Sequence, residues 1–119
     1  MKRLIKSFSF AISGINHCFS KEPNFYIHIL LATAALSLSI LLEISRIEFI
    51  VVILCIAVVL AAEMINTAIE QICNRVTRER DTEIKIIKDI SAGAVLVTAI
   101  ASLVCGLIIF VPKLYALVN

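Results

Sequence analysis

The sequence predicts an all-α membrane protein, with an N-terminal amphipathic helix lying at the membrane interface followed by three transmembrane helices. Three observations carry this prediction. First, 61% of the 119 residues are hydrophobic and the mean hydropathy is +1.02. A soluble domain averages about 45–50% apolar residues, and a small chain buries the smallest fraction of its surface on folding. So much apolar area cannot be hidden internally, and the bilayer is the natural solvent. Second, stretches 25–42, 49–73 and 90–111 are each long and apolar enough to cross a hydrocarbon core about 30 Å thick. Third, the basic residues alternate along the chain. Lys2, Arg3, Lys6 and Lys21 precede the first span, and Arg75, Arg78, Arg80, Lys85 and Lys88 lie between the second and third. The 43–48 turn has only Arg46, and the C-terminal tail only Lys113. The positive-inside rule then places the N-terminus and the second link in the cytoplasm. One membrane domain over 1–119 is expected, with a surface helix at 2–20 and transmembrane helices at 25–42, 48–73 and 89–111.

The surface helix follows from periodicity. Leu4, Ile5, Phe8, Ile12, Ile15 and Phe19 fall within about 100° on a helical wheel. Lys2, Lys6, Ser9, Ser13, Asn16 and Ser20 take the other side, and Phe10 is the exception. This is the pattern of a helix lying in the interface. A signal peptide fits poorly, because Ser7, Ser9 and Ser13 interrupt the apolar run and no small-residue cleavage site follows. Pro23 marks a bend before the first span, where its missing N–H is tolerated. The short 43–48 turn makes the first two spans an antiparallel pair. In the third span Ala94, Thr98, Ser102 and Gly106 recur every four residues, a small-residue stripe that lets helices approach closely.

Several chemistries are excluded. Cys18, Cys55, Cys73 and Cys105 form neither a CxxC pair nor a zinc spacing and read as small packing residues. No GxxxxGK[ST] loop or GxGxxG fingerprint is present, so any nucleotide must be held by side chains and a metal. A net charge of +2 says little by itself, and no nucleic-acid partner is expected.

The polar residues of the spans are the informative ones. Residues 49–62 carry no charge, and Glu63 ends that run. Asn66, Glu70 and Asn74 follow it on the same side of a helix. At about 1.5 Å per residue from Phe49, Glu63 lies roughly 21 Å into a core about 30 Å thick, and Glu70 about 31 Å along, near head groups and water. Acids at membrane depth are expensive and are functional candidates by default. Under the expected topology Glu22, Glu63, Glu70, Lys88 and Asp89, from three separate segments, meet at the cytoplasmic face. The deeper acid can meet a lipid head group, and the depth suits a general base. A carboxylate pair such as Glu22 and Glu70 suits a hard cation like magnesium, and Lys88 suits phosphate oxygens. Plainer readings exist for each: an interface charge for Glu22, a snorkelling lysine for Lys88, an N-cap of the third span for Asp89, a helix-bridging amide for Asn66, a solvated helix end for Glu70 and a packing residue for His28. Glu63 has the weakest plain reading, being deepest and without a cation near it in sequence.

The run Glu63-Met-Ile-Asn66-Thr67-Ala68-Ile69-Glu70, followed by Lys88-Asp89 and then SAGAVL, resembles the small bacterial integral-membrane diacylglycerol and undecaprenol kinases. The resemblance spans nearly the whole chain, from RLIKSFSFAISGI through KEPNF to the third span. It implies a homotrimer in the bacterial cytoplasmic membrane, with active sites shared between subunits and the γ-phosphate of ATP passing to a lipid primary hydroxyl. By position it implies Glu63 as general base and Glu22 and Glu70 as Mg²⁺ ligands. Glu70, Lys88, Asp89, Asn66, Arg3 and Phe10 are implied around the nucleotide. Asn74 stands where the family commonly has Asp, Ala11 and Ala92 replace hydroxyls of the diacylglycerol-preferring branch, and Phe10 keeps a ring without its hydroxyl. AGAVL and INTAIE favour the undecaprenol-kinase branch, with diacylglycerol as the alternative acceptor. A non-enzymatic membrane subunit whose acids only specify helix pairing is a competitor of a different class. An ion-translocating subunit would need a polar path beyond Glu63, and the second span offers none.

Overall fold

A proline, a capping serine and a capping aspartate divide a chain that is otherwise almost continuously helical. The computed structural model describes residues 1–77 and 79–119; Arg78, one of the basic residues of the second link, lies outside them. The order is α1 (Lys2–Lys21), α2 (Pro23–Leu41), α3 (Arg46–Val76) and α4 (Thr82–Val118), with no strand among the described residues. Three of the four helices are long and apolar enough to cross a membrane.

Glu22 separates α1 from α2. Its backbone is extended (φ −111°, ψ 107°), because a residue before proline is pushed out of the helical region, and Pro23 then occupies the first turn of α2. The chain turns away there, so α1 touches the rest only near its C-terminal end. Residues 1–17 are all exposed, Cys18 is the buried residue of α1, and Phe19 packs edge-to-face on Phe25 with centroids 5.2 Å apart.

The α2–α3 hairpin is closed by Glu43 in the left-handed region (φ 52°). Ser45 then caps α3. Its Oγ accepts from Glu48 N at 3.1 Å, while Ser45 N donates to Glu48 Oε1 at 2.9 Å. The S-R-I-E run is a capping box that satisfies two otherwise orphaned donors. Glu48 is thus part of the helix rather than of the loop, and it also faces Lys113 Nζ of α4 at 3.8 Å.

At 31 residues α3 is about 46 Å long, longer than the hydrocarbon core, so its last turns project beyond the apolar run. The N-cap of α4 is Asp81, whose Oδ1 accepts from Glu83 N and Ile84 N at 2.9 and 3.1 Å. This corrects the reading of Asp89 as an N-cap. A stronger cap stands eight residues earlier, and polar residues before the apolar run continue the helix into water. Of the small-residue stripe on α4, Thr98, Ser102 and Gly106 are half-buried, but Ala94 is exposed and Ser91 is buried instead. A strict four-residue spacing drifts about 40° per step around a 3.6-residue helix, so it cannot stay on one face for four positions. The α3–α4 seam is the most extensive in the molecule, and there Ser102 Oγ donates to the Cys55 carbonyl at 3.5 Å. Large apolar side chains such as Leu31, Leu54, Val97 and Ile108 remain exposed along the spans, the surface expected of a chain whose solvent is lipid.

Candidate functional site

The hairpin supplies the geometry of the site. α2 and α3 run antiparallel from the 42–45 turn, so residues at similar distances from the turn stand opposite one another. Glu22 comes beside the last turns of α3, Phe25 beside Asn66, and His28 against Glu63. A small polar cleft of about 30 Å³ opens there, lined by Glu22, Asn24 and Phe25 on one side and Glu63, Asn66, Thr67 and Glu70 on the other. That volume is about one water molecule. The cleft by itself is too small for any ligand larger than a water or an ion.

Glu63 is only 6% exposed and Thr67 is buried beside it, whereas Asn66 and Glu70 are half-buried. Asn66 Nδ2 donates to Glu70 Oε1 at 3.4 Å, while Asn66 Oδ1 is buried with no hydrogen-bond partner among the described residues. Buried acceptors are ordinarily satisfied, so this oxygen is free for a donor or a cation brought by a ligand. The donor set is all oxygen, the chemistry of a hard cation. Among the described residues no three acidic, cysteine or histidine groups converge closely enough to hold a metal unaided. Magnesium fits that arrangement, since it keeps several waters and is held by one or two carboxylates plus substrate phosphates. Glu22 and Glu70, both half-buried, are two carboxylates that line this cleft.

Lys88 of α4 donates from Nζ to Asn74 Oδ1 at 2.6 Å, one turn beyond Glu70 on α3. The partner is neutral, so the ammonium charge is positioned without being cancelled. Asp89 points elsewhere. It is exposed and pairs with Lys85 at 2.7 Å, outside the polar cleft. Arg3 and Phe10 are exposed on α1; by helical rise they lie about 28 and 18 Å along the helix from Glu22.

The C-terminal end of α1 closes one side of the site. His17 Nε2 lies 3.3 Å from Gln71 Nε2 of α3. The Cys18 thiol is pushed above its ordinary pKa, first by burial and then by the nearby charges of Glu22 and Glu63. His28 is the residue that the sequence presents as a packing residue and that the structure brings to Glu63. Its Nε2 is 3.5 Å from Glu63 Oε1 across the hairpin, and it is half-buried. The available signal was the antiparallel hairpin: His28 and Glu63 lie 14 and 18 residues from the 42–45 turn, an offset of about one helical turn. His28 also belongs to the wall of a second, apolar cleft of about 440 Å³ between α2, α3 and α4, which runs past Ala35, Val59 and Ser102 to Leu114. The His28–Glu63 pair therefore stands between a polar and an apolar compartment.

The family model for prokaryotic diacylglycerol kinase matches residues 9–110. The chain is 40% identical over 114 residues to an undecaprenol kinase of Bacillus subtilis, covering 96% of this chain and 93% of that protein. It is 34% identical over 115 residues to a diacylglycerol kinase of a Synechocystis species, covering 96% of this chain and 66% of that protein. A diacylglycerol kinase of Haemophilus influenzae is 29% identical over 111 residues, with 92% and 94% covered.

Proposed function

This chain belongs to the prokaryotic diacylglycerol kinase family, and from that premise we propose that it moves the γ-phosphate of ATP, with Mg²⁺, to the primary hydroxyl of a membrane lipid, undecaprenol being the favoured acceptor. The observation that carries the reading is Glu63: a buried carboxylate where a polar cleft meets an apolar one. A lipid hydroxyl and a polyphosphate can approach it from opposite sides. Identity to an undecaprenol kinase over nearly the whole chain supports a polyprenol acceptor, with diacylglycerol as the alternative.

Glu63 accepts the hydroxyl proton as the lipid oxygen bonds to the γ-phosphorus. The bond from that phosphorus to the bridging oxygen breaks, and ADP leaves. A general base at this point is worth about 10²–10⁴-fold in rate. Glu22 and Glu70 would hold Mg²⁺, which when bound offsets the charge on the phosphate oxygens. Lys88, held by Asn74, places a further positive charge near the phosphates, and Asn66 Oδ1 is left to receive a donor from the bound complex. Asp89, paired with Lys85 outside the polar cleft, would reach a nucleotide only where that nucleotide extends beyond the cleft.

Arg3 and Phe10 lie too far along α1 to serve the cleft of their own chain. If they contact the nucleotide they do so in a neighbour, which supports a homotrimer with shared sites. The alternation of basic residues supports a cytoplasmic N-terminus and, with the family, the bacterial cytoplasmic membrane. The decisive measurement is transfer of labelled phosphate from ATP in detergent, with undecaprenol and diacylglycerol offered side by side and Glu63→Gln as control. A Glu63→Gln variant that retains full transfer would overturn the proposal in favour of a purely structural membrane subunit.

A further inference from the structure

We propose that His28 is a positioning residue for Glu63: it anchors one carboxylate oxygen and leaves the other free to take the lipid proton. The inference rests on the reading of Glu63 as general base and adds a residue to it. Glu63 has two chemically equivalent oxygens, and a base that must take a proton from one direction needs one of them fixed. His28 Nε2 lies 3.5 Å from Oε1, with the two side chains 20% and 8% exposed. That separation is longer than a hydrogen bond, and catalytic contacts that are long in the free enzyme commonly tighten in the substrate complex.

Position gives the contact its meaning. Glu63 lines the polar cleft, and His28 lines the end of the apolar cleft. Among the described residues His28 is the one whose side-chain nitrogen stands against a Glu63 oxygen; Asn24 and Thr67 line the cleft without a hydrogen bond to it. Asn66 spends its amide on Glu70. Cys18 is a weak donor. Glu22 and Glu70 share the cleft with Glu63 but are acids, so another group must fix its orientation. A ring nitrogen on α2 is rigid, short of rotatable bonds and held by the antiparallel register of the hairpin. In its neutral form, with Nε2 carrying the proton, it donates to Oε1 without exchanging a proton during the reaction. The lipid hydroxyl gives its proton to Oε2.

The test compares His28→Leu with His28→Gln in the full-length protein, measured by phosphate transfer from ATP to the lipid in mixed micelles, with Glu63→Gln alongside. Leucine keeps apolar bulk in the cleft wall and removes the donor; glutamine restores an N–H donor. Loss of an orienting partner typically lowers activity about 10–100-fold. The expectation is a fall of that order in kcat for His28→Leu, with the KM for ATP within about twofold of the parent, and recovery of most of the loss in His28→Gln. Equal activity in all three proteins, or an equal loss in both His28 variants, overturns the positioning role, since simple packing does not distinguish a donor from a hydrocarbon. Helicity and thermal unfolding of each variant separate misfolding from a catalytic loss: a His28→Leu protein that melts well below the parent while His28→Gln is fully active assigns His28 to packing and likewise overturns it. If Glu63→Gln is inactive while both His28 variants are normal, the His28 inference alone fails. If Glu63→Gln is active, the base assignment fails and takes the inference with it.

Discussion

At the scale of single residues, carboxylates of one type have different proposed tasks because they are buried to different extents. Glu63 is sealed among α2, α3 and the end of α1, whereas Glu22 and Glu70 are half-buried. Removing charge from one of the outer pair should act on the metal rather than on the lipid. Glu70→Ala is expected to lose turnover together with its Mg²⁺ response while lipid binding stays measurable, and Glu22→Gln to need on the order of tenfold more Mg²⁺ for half-maximal transfer; a magnesium titration of both reads this directly. Cys18 reports whether α1 is docked against these acids. Its raised pKa means the proton is held more tightly, so the thiolate fraction at a given neutral pH is smaller than for an ordinary cysteine. With Cys55, Cys73 and Cys105 replaced by serine or alanine, maleimide labelling of Cys18 should be slow near pH 7 and rise only above the usual thiol range of about 8.5. Labelling as fast as free cysteine at neutral pH would show that α1 does not rest on the carboxylates.

At the scale of elements, caps and cross-helix contacts set the register that brings the site together. The Ser45–Glu48 capping box starts α3 at the turn of the hairpin, far from Glu63. Ser45→Ala should therefore lower stability by about 1 kcal/mol with little effect on turnover, read by equilibrium unfolding and a transfer assay on the same sample. The α3–α4 contact at Lys88 tests the proposed nucleotide side. Asn74→Leu removes the acceptor that holds Lys88. The KM for ATP is then expected to rise severalfold while the KM for the lipid stays put; a parallel rise in both would place Lys88 outside the nucleotide site. Asp89, which the sequence offers as a helix cap, is instead an exposed partner of Lys85, because Asp81 had already supplied the cap.

At the scale of the whole molecule, one chain is a thin, open assembly. Its polar cleft holds about one water molecule and its apolar cleft lies open between three helices, so a nucleotide and a lipid need walls that a single chain does not supply. α1 carries Arg3 and Phe10 away from its own cleft. If neighbouring subunits complete the site, two inactive proteins can repair each other. Mixing Arg3→Ala with Glu63→Gln subunits during reassembly from detergent should recover transfer activity that neither has alone. No recovery, with mixed oligomers present by mass, would mean that each chain works by itself.

Membership of an all-helical membrane class, the three apolar runs and the acids at their ends were legible in the sequence, because the free energy of placing apolar and charged groups in a bilayer depends on residue type and spacing along one chain. Depth along a helix is likewise a matter of counting, and it separated Glu63 from Glu70. Which residues face each other is not. The antiparallel register of α2 on α3 brought His28 to Glu63 and gathered Glu22 and Glu70 at one cleft, the α3–α4 packing delivered Lys88 to Asn74, and the same geometry left Asp89 outside. Those outcomes were decided by tertiary structure, since a contact between helices depends on the rotation and offset of both, and a one-residue change in either turns a side chain by about 100°.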